Sequence, residues 1–224
     1  KKLKNVTSVL AKKSERKGKL RKRKYKLILG NKNTEVIHKE YGFLIKLDPQ
    51  KVYFSPRELT ERQRIANQVK KNEKILVMFS GVAPIIVAIK KKKPSTIVYG
   101  IELNKVAHNY AIQNIELNKL KNITLIRGDI KRILPKLKIK FDRVIMPLPK
   151  TANKYLKLVF KKIKKNGIIH YYSWGKQEDY NKIKTLIKKE AEKNNKKIKT
   201  IFIKKIHPYS PHIYKIATDI KCLT

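Results

Sequence analysis

Residues 75–84 read Ile-Leu-Val-Met-Phe-Ser-Gly-Val-Ala-Pro, and this stretch restricts the fold more than any other part of the chain. An apolar run ends at the small residues Ser80 and Gly81, and a helix-like segment follows. Near the end of the next apolar run, residues 97–103, stands one acidic residue, Glu102. The pattern is a buried strand, then a tight turn that exposes backbone amides, then a carboxylate about 20 residues further on. It predicts a nucleotide-type pocket in a parallel α/β sheet.

The alternation of apolar strands and helices continues after this stretch. It predicts strands at residues 75–79, 96–102, 123–127, 142–146 and 167–173, and helices at 84–91, 105–118, 130–137, 152–164 and 178–194. The strands are almost continuously apolar, as expected of parallel strands covered on both faces. Two last runs, 200–206 and 213–220, predict a hairpin that places an antiparallel strand at one end of the sheet. Five parallel strands and a terminal hairpin are the layout of the class I S-adenosylmethionine-dependent methyltransferases, an α/β class with a Rossmann-like, mostly parallel sheet.

The first part of the chain predicts a smaller unit in front of this sheet. Residues 1–50 are predicted to form a small basic α+β domain, with a short helix at 6–12 and a β-meander from runs at 25–29, 35–38 and 42–47. Residues 51–72 are predicted to connect this domain, through a helix from Thr60 to Lys70, to a methyltransferase domain at 73–224.

The charge of the chain indicates its partner. There are 57 Lys and Arg residues against 16 Asp and Glu residues, a formal net charge of +41. Such self-repulsion opposes compaction and attracts polyanions, so nucleic acid is the predicted partner. The alternative is a lysine-rich composition that reflects only the source of the protein.

Other classes of protein are disfavoured by composition. No run reaches the roughly 18 apolar residues that span a bilayer, and no segment resembles a signal peptide, so a cytoplasmic protein without membrane contact is expected. The single cysteine, Cys222, excludes a zinc cluster built on cysteines, and the five histidines show no metal-ligand spacing. No metal is therefore predicted.

The predicted cofactor contacts follow the first three strands of the sheet. Gly81 has no Cβ, so backbone amides can approach a ligand there. Glu102 is placed to accept the ribose hydroxyls of an adenosine, and Asp129 is suited to the adenine amino group. The predicted contacts at these strand ends are Phe79, Ser80, Gly81, Val82, Glu102, Leu103, Asp129 and Ile130. A Gly-Lys-Ser/Thr motif is missing, which excludes a phosphate-binding loop of the ATPase kind.

Two further features lie close to this predicted pocket. Pro147 and Pro149 follow the fourth strand and predict a rigid loop without backbone donors, either where a methyl group is transferred or simply as a strand terminator. Arg57 and Glu61 are four residues apart on one helix face. They are either an ordinary exposed ion pair or a carboxylate base held by guanidinium groups at the mouth of the pocket.

Four motifs in order carry a resemblance to a known family. They are residues 53–57 with Glu61 and Arg62, residues 78–82, residues 142–146 and residues 168–172. Together they resemble the archaeal and eukaryotic tRNA (guanine-N1)-methyltransferases that act at position 37, next to the anticodon, and the similarity extends from about Gly18 to the C-terminus. The resemblance implies S-adenosylmethionine as methyl donor, tRNA as partner and a monomeric enzyme, in which the domain at residues 1–50 positions the RNA.

The resemblance also implies roles for individual residues. Glu61 matches the general base that removes the guanine N1 proton, and Arg21 matches the arginine that stabilises charge developing on O6, with Arg23 as the nearby alternative. Pro147 and Pro149 match the loop at the reacting atoms, with Pro147 also expected to touch the cofactor. The residues predicted to contact substrate are Arg23, Arg57, Arg62 and Tyr172.

The chain departs from the family pattern at three positions. Val77 stands where the family has Asp, and Ala83 stands where it has a second Gly, so weaker cofactor affinity is expected. Pro147 replaces an Asn, which resembles an archaeal branch that also methylates C7 of the tricyclic wyosine precursor in phenylalanine tRNA. The alternatives are a catalytically inactive RNA-binding protein, which Val77 and Ala83 favour, and a small-molecule methyltransferase whose charge has no functional meaning.

Overall fold

The N-terminal part of the chain forms two small antiparallel sheets. The structure is a computed structural model that describes residues 6–15, 18 and 23–224. Strand β1 (Ser8–Lys12) pairs with β2 (Tyr25–Gly30), and β3 (Val36–Glu40) pairs with β4 (Phe43–Leu47). The predicted helix at 6–12 is therefore wrong, and so is the predicted three-stranded meander.

The physical reason for both errors is strand pairing that local sequence does not show. A five-residue apolar segment fits a strand as well as a helix, and the partner decides between them. Here Leu10 lies opposite Leu27, and the two strands run from Ser8 opposite Gly30 to Lys12 opposite Tyr25. Gly30 has a φ of +96°, and a Cβ there would lie 2.2 Å from the carbonyl oxygen of Thr7, so the pairing requires glycine.

The central sheet contains seven strands, and the helices cover it on both faces. Its strands are β5 (Lys74–Met78), β6 (Ile97–Glu102), β7 (Ile123–Arg127), β8 (Phe141–Met146), β9 (Ile163–Gly175), β10 (Ile198–Ser210) and β11 (Ile213–Cys222), in the order β10-β11-β9-β8-β5-β6-β7. The helices are α1 (Leu59–Gln68), α2 (Pro84–Lys92), α3 (Lys105–Leu117), α4 (Ile130–Lys136), α5 (Leu156–Lys162) and α6 (Tyr180–Glu192). Strands β5 to β9 are parallel, and β11 is antiparallel to β9 and to β10. The predicted class I layout with its terminal hairpin is confirmed.

Two buried clusters lie on the two faces of the sheet. The first cluster joins Ile65 of α1, Val87 of α2 and Tyr110 of α3 to strand residues such as Val77. The second cluster joins residues of α4, α5 and α6 to the opposite face. Among the described residues, no helix has the length and apolar character needed to cross a membrane.

The β3–β4 hairpin packs on the first face. Asn114 of α3 and the C-cap residue Asn118 hold the edge of β4, because each side-chain amide bonds both backbone groups of one strand residue. Asn114 accepts from the Lys46 N–H at 2.6 Å and donates to its carbonyl at 3.0 Å. Asn118 does the same with Leu44, at 3.0 and 2.6 Å. Phe43 belongs to the first cluster as well. Residues 43–47 thus pack against the sheet, and the predicted division of the chain at residue 50 stays a prediction.

Candidate functional site

The loop after β5 is strongly bent. Phe79, Gly81 and Ala83 have φ values of +52°, +58° and +66°. The loop is tied to the next strand, because the Ser80 N–H donates to the carbonyl of Ile101 at 3.0 Å. Ala83 precedes Pro84, the first residue of α2. A left-handed residue with a Cβ costs about 1–2 kcal/mol, which is a physical reason why glycine suits the position that Ala83 occupies.

The Glu102 carboxylate is oriented by this loop. Its two oxygens accept from the Gly81 N–H at 2.8 Å and from the Asn104 N–H at 2.7 Å. Burial raises the pKa of Glu102 above its usual value, although these backbone hydrogen bonds oppose the shift. The carboxylate is therefore held at the C-terminal edge of the sheet, with lone pairs left for hydroxyl donors.

The surroundings of Glu102 fit an adenosine group. The Ser80 hydroxyl is buried and has no hydrogen-bond partner among the described residues. Leu103, directly after the carboxylate, is 41% exposed although it is apolar. Gly100 makes room behind the loop, since a Cβ there would lie 2.7 Å from Ile86 Cδ1 and 3.2 Å from Ser80 Oγ. An unsatisfied hydroxyl, an exposed apolar side chain and an oriented carboxylate match the polar and apolar parts of a nucleoside.

Asp129 lies at the next strand end and caps α4. Its carboxylate accepts from the Lys131 N–H at 2.9 Å, and Ile130 is buried behind it. Tyr155, which the sequence did not single out, lies close by: burial, followed by the charge of Asp129, raises the pKa of Tyr155. Its ring meets that of Phe79 edge-on at 5.0 Å. The structure thus brings the predicted loop and the predicted acidic strand end close to one tyrosine.

The other predicted positions around β5 and β8 are more buried. Val77 lies within β5, between Gly100 of β6 and Ile145 of β8, and is fully packed in the first cluster. Pro147 is half-buried directly after β8, and Pro149 is buried two residues later. The two prolines lie at the same edge of the sheet as the loop after β5, because β5 and β8 are adjacent and parallel.

Glu61 is buried on α1, and both oxygens of its carboxylate accept hydrogen bonds. It is 4% exposed. Arg64 Nε and Nη2 donate to its two oxygens at 2.8 and 2.7 Å, and the Tyr172 hydroxyl donates to Oε1. Burial and the charge of Glu61 raise the pKa of Tyr172 well above its usual value, so the hydroxyl remains a donor. A carboxylate held by a guanidinium group is thus present, but its partner is Arg64, and the predicted pairing with Arg57 is wrong.

Arg64 connects Glu61 to a network of further buried polar side chains. Its Nη1 and Nη2 donate to the Asp219 carboxylate at 2.5 and 3.1 Å. His170 Nδ1 lies 2.7 Å from Asp219, and His170 Nε2 lies 2.7 Å from Arg143 Nη1. Because arginine can only donate, Nε2 must accept and Nδ1 must carry the proton. Burial, together with the charges of Arg143 and Arg64, lowers the pKa of His170 although Asp219 opposes the shift, so the ring is neutral at pH 7.

The sequence analysis did not predict this network of buried polar side chains. Arg143 also donates to Glu73 at 2.7 and 2.9 Å, so the network extends from Glu61 along one face of the sheet to the start of β5. A signal existed, because Arg143 directly precedes the apolar residues 144–146 of β8 and His170 directly follows the apolar residues 168–169 of β9. Such residues remain buried only when they are paired.

Arg62 is also buried, on a different side of α1. Its Nε donates to Glu40 Oε1 at 2.9 Å, its Nη2 donates to Glu40 Oε2, and its Nη1 donates to the carbonyl of Ser55 at 3.1 Å. The Arg62 and Glu40 side chains are each 3% exposed. In this conformation the guanidinium group of Arg62 joins α1 to β3, and it presents no free donor edge to an RNA.

The remaining predicted arginines lie near the surface. Arg57 is exposed on a short 3₁₀ turn, Pro56–Glu58, that leads into α1. Arg23 is half-buried just before β2. Arg21 lies outside the described residues. Next to Arg57, the Glu58 carboxylate accepts from Lys215 Nζ at 2.8 Å. Within the described part of the chain, no group of three His, Cys, Asp or Glu side chains could hold a metal ion.

The fold and the strand-end residues define a class. The chain has a mostly parallel Rossmann-like sheet that ends in an antiparallel hairpin. A left-handed loop follows the first strand of this sheet, and an oriented carboxylate follows the second. These features define a class I methyltransferase. Sequence comparison gives the family. The model of the TRM5/TYW2 methyltransferase domain matches residues 36–199, and the chain belongs to this family.

Three relatives and one solved structure illustrate the range of the family. Trm5b of Pyrococcus abyssi, a tRNA (guanine(37)-N(1))-methyltransferase, is 38% identical over 97% of this chain, which spans 64% of the length of that relative. A tRNA(Phe) (4-demethylwyosine(37)-C(7)) aminocarboxypropyltransferase of Methanocaldococcus jannaschii is 36% identical over 87% of this chain and 78% of its own length. Taw22 of Nanoarchaeum equitans, a tRNA (guanine(37)-N(1))/4-demethylwyosine(37)-methyltransferase, is 41% identical over 56% of this chain and 42% of its own length. The crystal structure of M. jannaschii TYW2 in complex with AdoMet has a TM-score of 0.81 at 35% identity and covers 89% of this chain and 90% of that chain.

Proposed function

We propose that this chain binds S-adenosylmethionine and methylates N1 of guanosine 37 in tRNA. The observation that carries the proposal is the buried carboxylate of Glu61. It is held by Arg64 and Tyr172 on the face of the sheet whose buried cluster also contains Val82, from the loop after β5. Membership in the TRM5/TYW2 family and the name of the P. abyssi relative support the choice of substrate.

The cofactor site would be formed at the ends of the first three parallel strands. Glu102 would accept the ribose hydroxyls, and Leu103 and Ile130 would contact the adenine ring. Asp129 would accept from the adenine amino group, while Ser80 and the amides near Gly81 would face the methionine part. Phe79, Val82 and Pro147 would close the site. When bound, S-adenosylmethionine supplies a methyl group on a positively charged sulfur. The crystal structure of TYW2 with AdoMet supports this assignment.

Glu61 would act as the general base. Guanine N1 carries a proton at neutral pH, so N1 can accept a methyl group only if a base removes that proton. Arg64 and Tyr172 orient the Glu61 carboxylate, and Arg64 keeps its bonds to Asp219 when Glu61 accepts a proton. Arg21 would stabilise the negative charge on O6, with Arg23 as its alternative, and the exposed Arg57 would contact the RNA. Pro147 and Pro149 would border the reacting base with a wall that offers no backbone N–H.

We also propose that the same site methylates C7 of the tricyclic wyosine intermediate in phenylalanine tRNA. Pro147, which has no amide to bond a guanine edge, supports a wider base pocket. The name of the N. equitans relative supports two activities in one family member. Val77 and Ala83 remain the basis for expecting weaker cofactor affinity than in relatives that carry Asp and Gly there.

A second candidate function is transfer of the aminocarboxypropyl group of the same cofactor. The M. jannaschii aminocarboxypropyltransferase supports it, because this chain spans 78% of that relative at 36% identity. The Glu61 carboxylate favours methylation at N1, because that reaction requires removal of a ring N–H proton.

One experiment separates these functions. The protein is incubated with S-adenosylmethionine and either unmodified tRNA(Phe) or tRNA(Phe) that carries the tricyclic intermediate, and the nucleosides are analysed by mass spectrometry. N1-methylguanosine from the first substrate and a C7-methyl product from the second are expected. An aminocarboxypropyl product would support the second candidate instead. If no product forms and the cofactor does not raise the melting temperature, the chain is an inactive RNA-binding protein.

A further inference from the structure

Two aromatic side chains stack on each other at the C-terminal edge of the sheet. The rings of Trp174, near the end of β9, and Tyr209, near the end of β10, have centroids 4.3 Å apart and planes inclined by 30°. Tyr209 is 65% exposed. The His207 ring meets Trp174 at 6.4 Å with an inclination of 64°. A single exposed tyrosine is ordinary, but a tyrosine that stacks on a neighbouring ring has an outer ring face of the kind that a nucleobase covers.

The register of the sheet places this surface on the same face as Glu61. Trp174 lies two residues after Tyr172 on β9, so both side chains point to one face. Trp174 is opposite Lys215, which in turn is opposite His207. We call a set of residues that lie opposite one another on neighbouring strands a row. The row that contains Trp174 therefore lies about 7 Å beyond the row that contains Tyr172, toward the sheet edge where the loop after β5 lies. That distance suits a nucleotide adjacent to the one whose base reaches Glu61.

The charges around the two rings favour an anion. Lys204 and Lys176 are exposed, and Lys204 is opposite Ala217 in the row that contains Tyr172. Lys215 is buried in the Trp174 row, and its Nζ lies 4.3 Å from the ring centroid of Tyr172 in the neighbouring row and donates to Glu58 at 2.8 Å. The Glu58 charge is thus neutralised locally, and phosphates that flank a stacked base would meet lysines.

We propose that Trp174 and Tyr209 form a stacking platform for the nucleobase that directly flanks the target base in the RNA strand. This inference rests on the proposed function, because it takes RNA as the substrate. The platform would hold the strand while the target base enters the site at Glu61. Stacking tolerates any base, so the platform would position the RNA without reading its sequence.

The chain provides its own reporter for this contact. Trp174 is the single tryptophan, so tryptophan emission reports the platform alone. Titration with an anticodon stem-loop RNA should quench this emission, whereas S-adenosylmethionine alone should leave it unchanged. Two further RNAs carry an abasic nucleotide on the 5′ or the 3′ side of the target guanosine. Quenching should be lost with one of the two.

A pair of tyrosine variants tests the energetic contribution. Tyr209→Ala should weaken RNA binding by roughly 5- to 140-fold, the range for loss of one stacked base, while Tyr209→Phe should bind like the unaltered protein. Tyr41→Ala is the matched control, because Tyr41 is 64% exposed on the β3–β4 turn, beside a cleft that Lys91 and Lys92 line. All three variants should bind S-adenosylmethionine with unchanged affinity.

The outcomes separate the platform from the proposed function. RNA that binds by filter retention without quenching, or that quenches equally with both abasic RNAs, overturns the platform alone. Equal losses of affinity for Tyr209→Ala and Tyr41→Ala overturn it as well. A protein that binds S-adenosylmethionine but no RNA overturns both the platform and the proposed substrate.

Discussion

The buried pair formed by Arg62 and Glu40 leads to the most direct test of how this chain uses its arginines. The resemblance to tRNA methyltransferases implies that Arg62 contacts RNA, but the structure buries both side chains to 3% exposure and joins them by two hydrogen bonds. A third bond links Arg62 to the Ser55 carbonyl at 3.1 Å. The pair is too buried for solvent screening to weaken it. Arg62→Ala leaves Glu40 buried without its cation, and removal of one partner of a buried pair costs about 3–5 kcal/mol of unfolding free energy.

Urea denaturation measures this loss. With a slope of about 2 kcal/mol per molar urea, the midpoint should fall by roughly 1.5–2.5 M. Arg57→Ala is the control: Arg57 is exposed, so its loss should change stability by less than about 0.5 kcal/mol.

A double variant completes the test of the pair. Glu40→Leu combined with Arg62→Met removes both charges, and stability should recover to near or above the level of the unaltered protein. If Arg62→Ala leaves the urea midpoint unchanged but weakens tRNA binding as much as Arg57→Ala does, Arg62 is an RNA contact and the structural reasoning is refuted.

Three further predictions concern carboxylates. Glu61→Gln should lower the single-turnover rate of N1 methylation about 10²- to 10⁴-fold with little change in S-adenosylmethionine affinity; an unchanged rate would remove Glu61 as the base. Burial raises the pKa of Glu102, so cofactor affinity measured by calorimetry should fall as the pH drops through that raised pKa and the carboxylate is protonated. Glu102→Gln should bind weakly at every pH, and a persistent pH dependence in this variant would assign the effect to another group. Burial alone would raise the pKa of Glu58, but Lys215 and His207 lower it to about 2, so Glu58 contributes stability above pH 4.5 that is lost as the pH falls toward 2. Glu58→Gln should cost roughly 3 kcal/mol at pH 7 and remove that part of the acid destabilisation, which denaturation at pH 7 and pH 3 would check.

The strand ends of the parallel sheet show how far local sequence reaches. Apolar runs of five or six residues, each followed by a small or acidic residue, determine where Ser80, Glu102 and Asp129 lie, because the carboxyl ends of parallel strands meet at one edge. The sequence by itself therefore determined the fold class and the side of the sheet that carries the loop after β5. It did not determine the pairing of β1 with β2, since a short apolar segment adopts the structure that its partner imposes.

The partners of charged groups were decided only by the tertiary structure. Arg64 meets Asp219 across 155 positions of sequence, and Arg62 meets Glu40 across 22. Helical spacing indicates which residues share a face of α1, but it does not indicate which face is buried or what lies opposite it. A buried charge requires a partner wherever the fold can supply one, and β3, β9 and β11 supply those partners to α1. For this reason the sequence could identify Glu61 as the candidate base, while only the packing of α1 against the sheet shows that Arg64 and Tyr172 hold it and that Arg62 belongs to the scaffold.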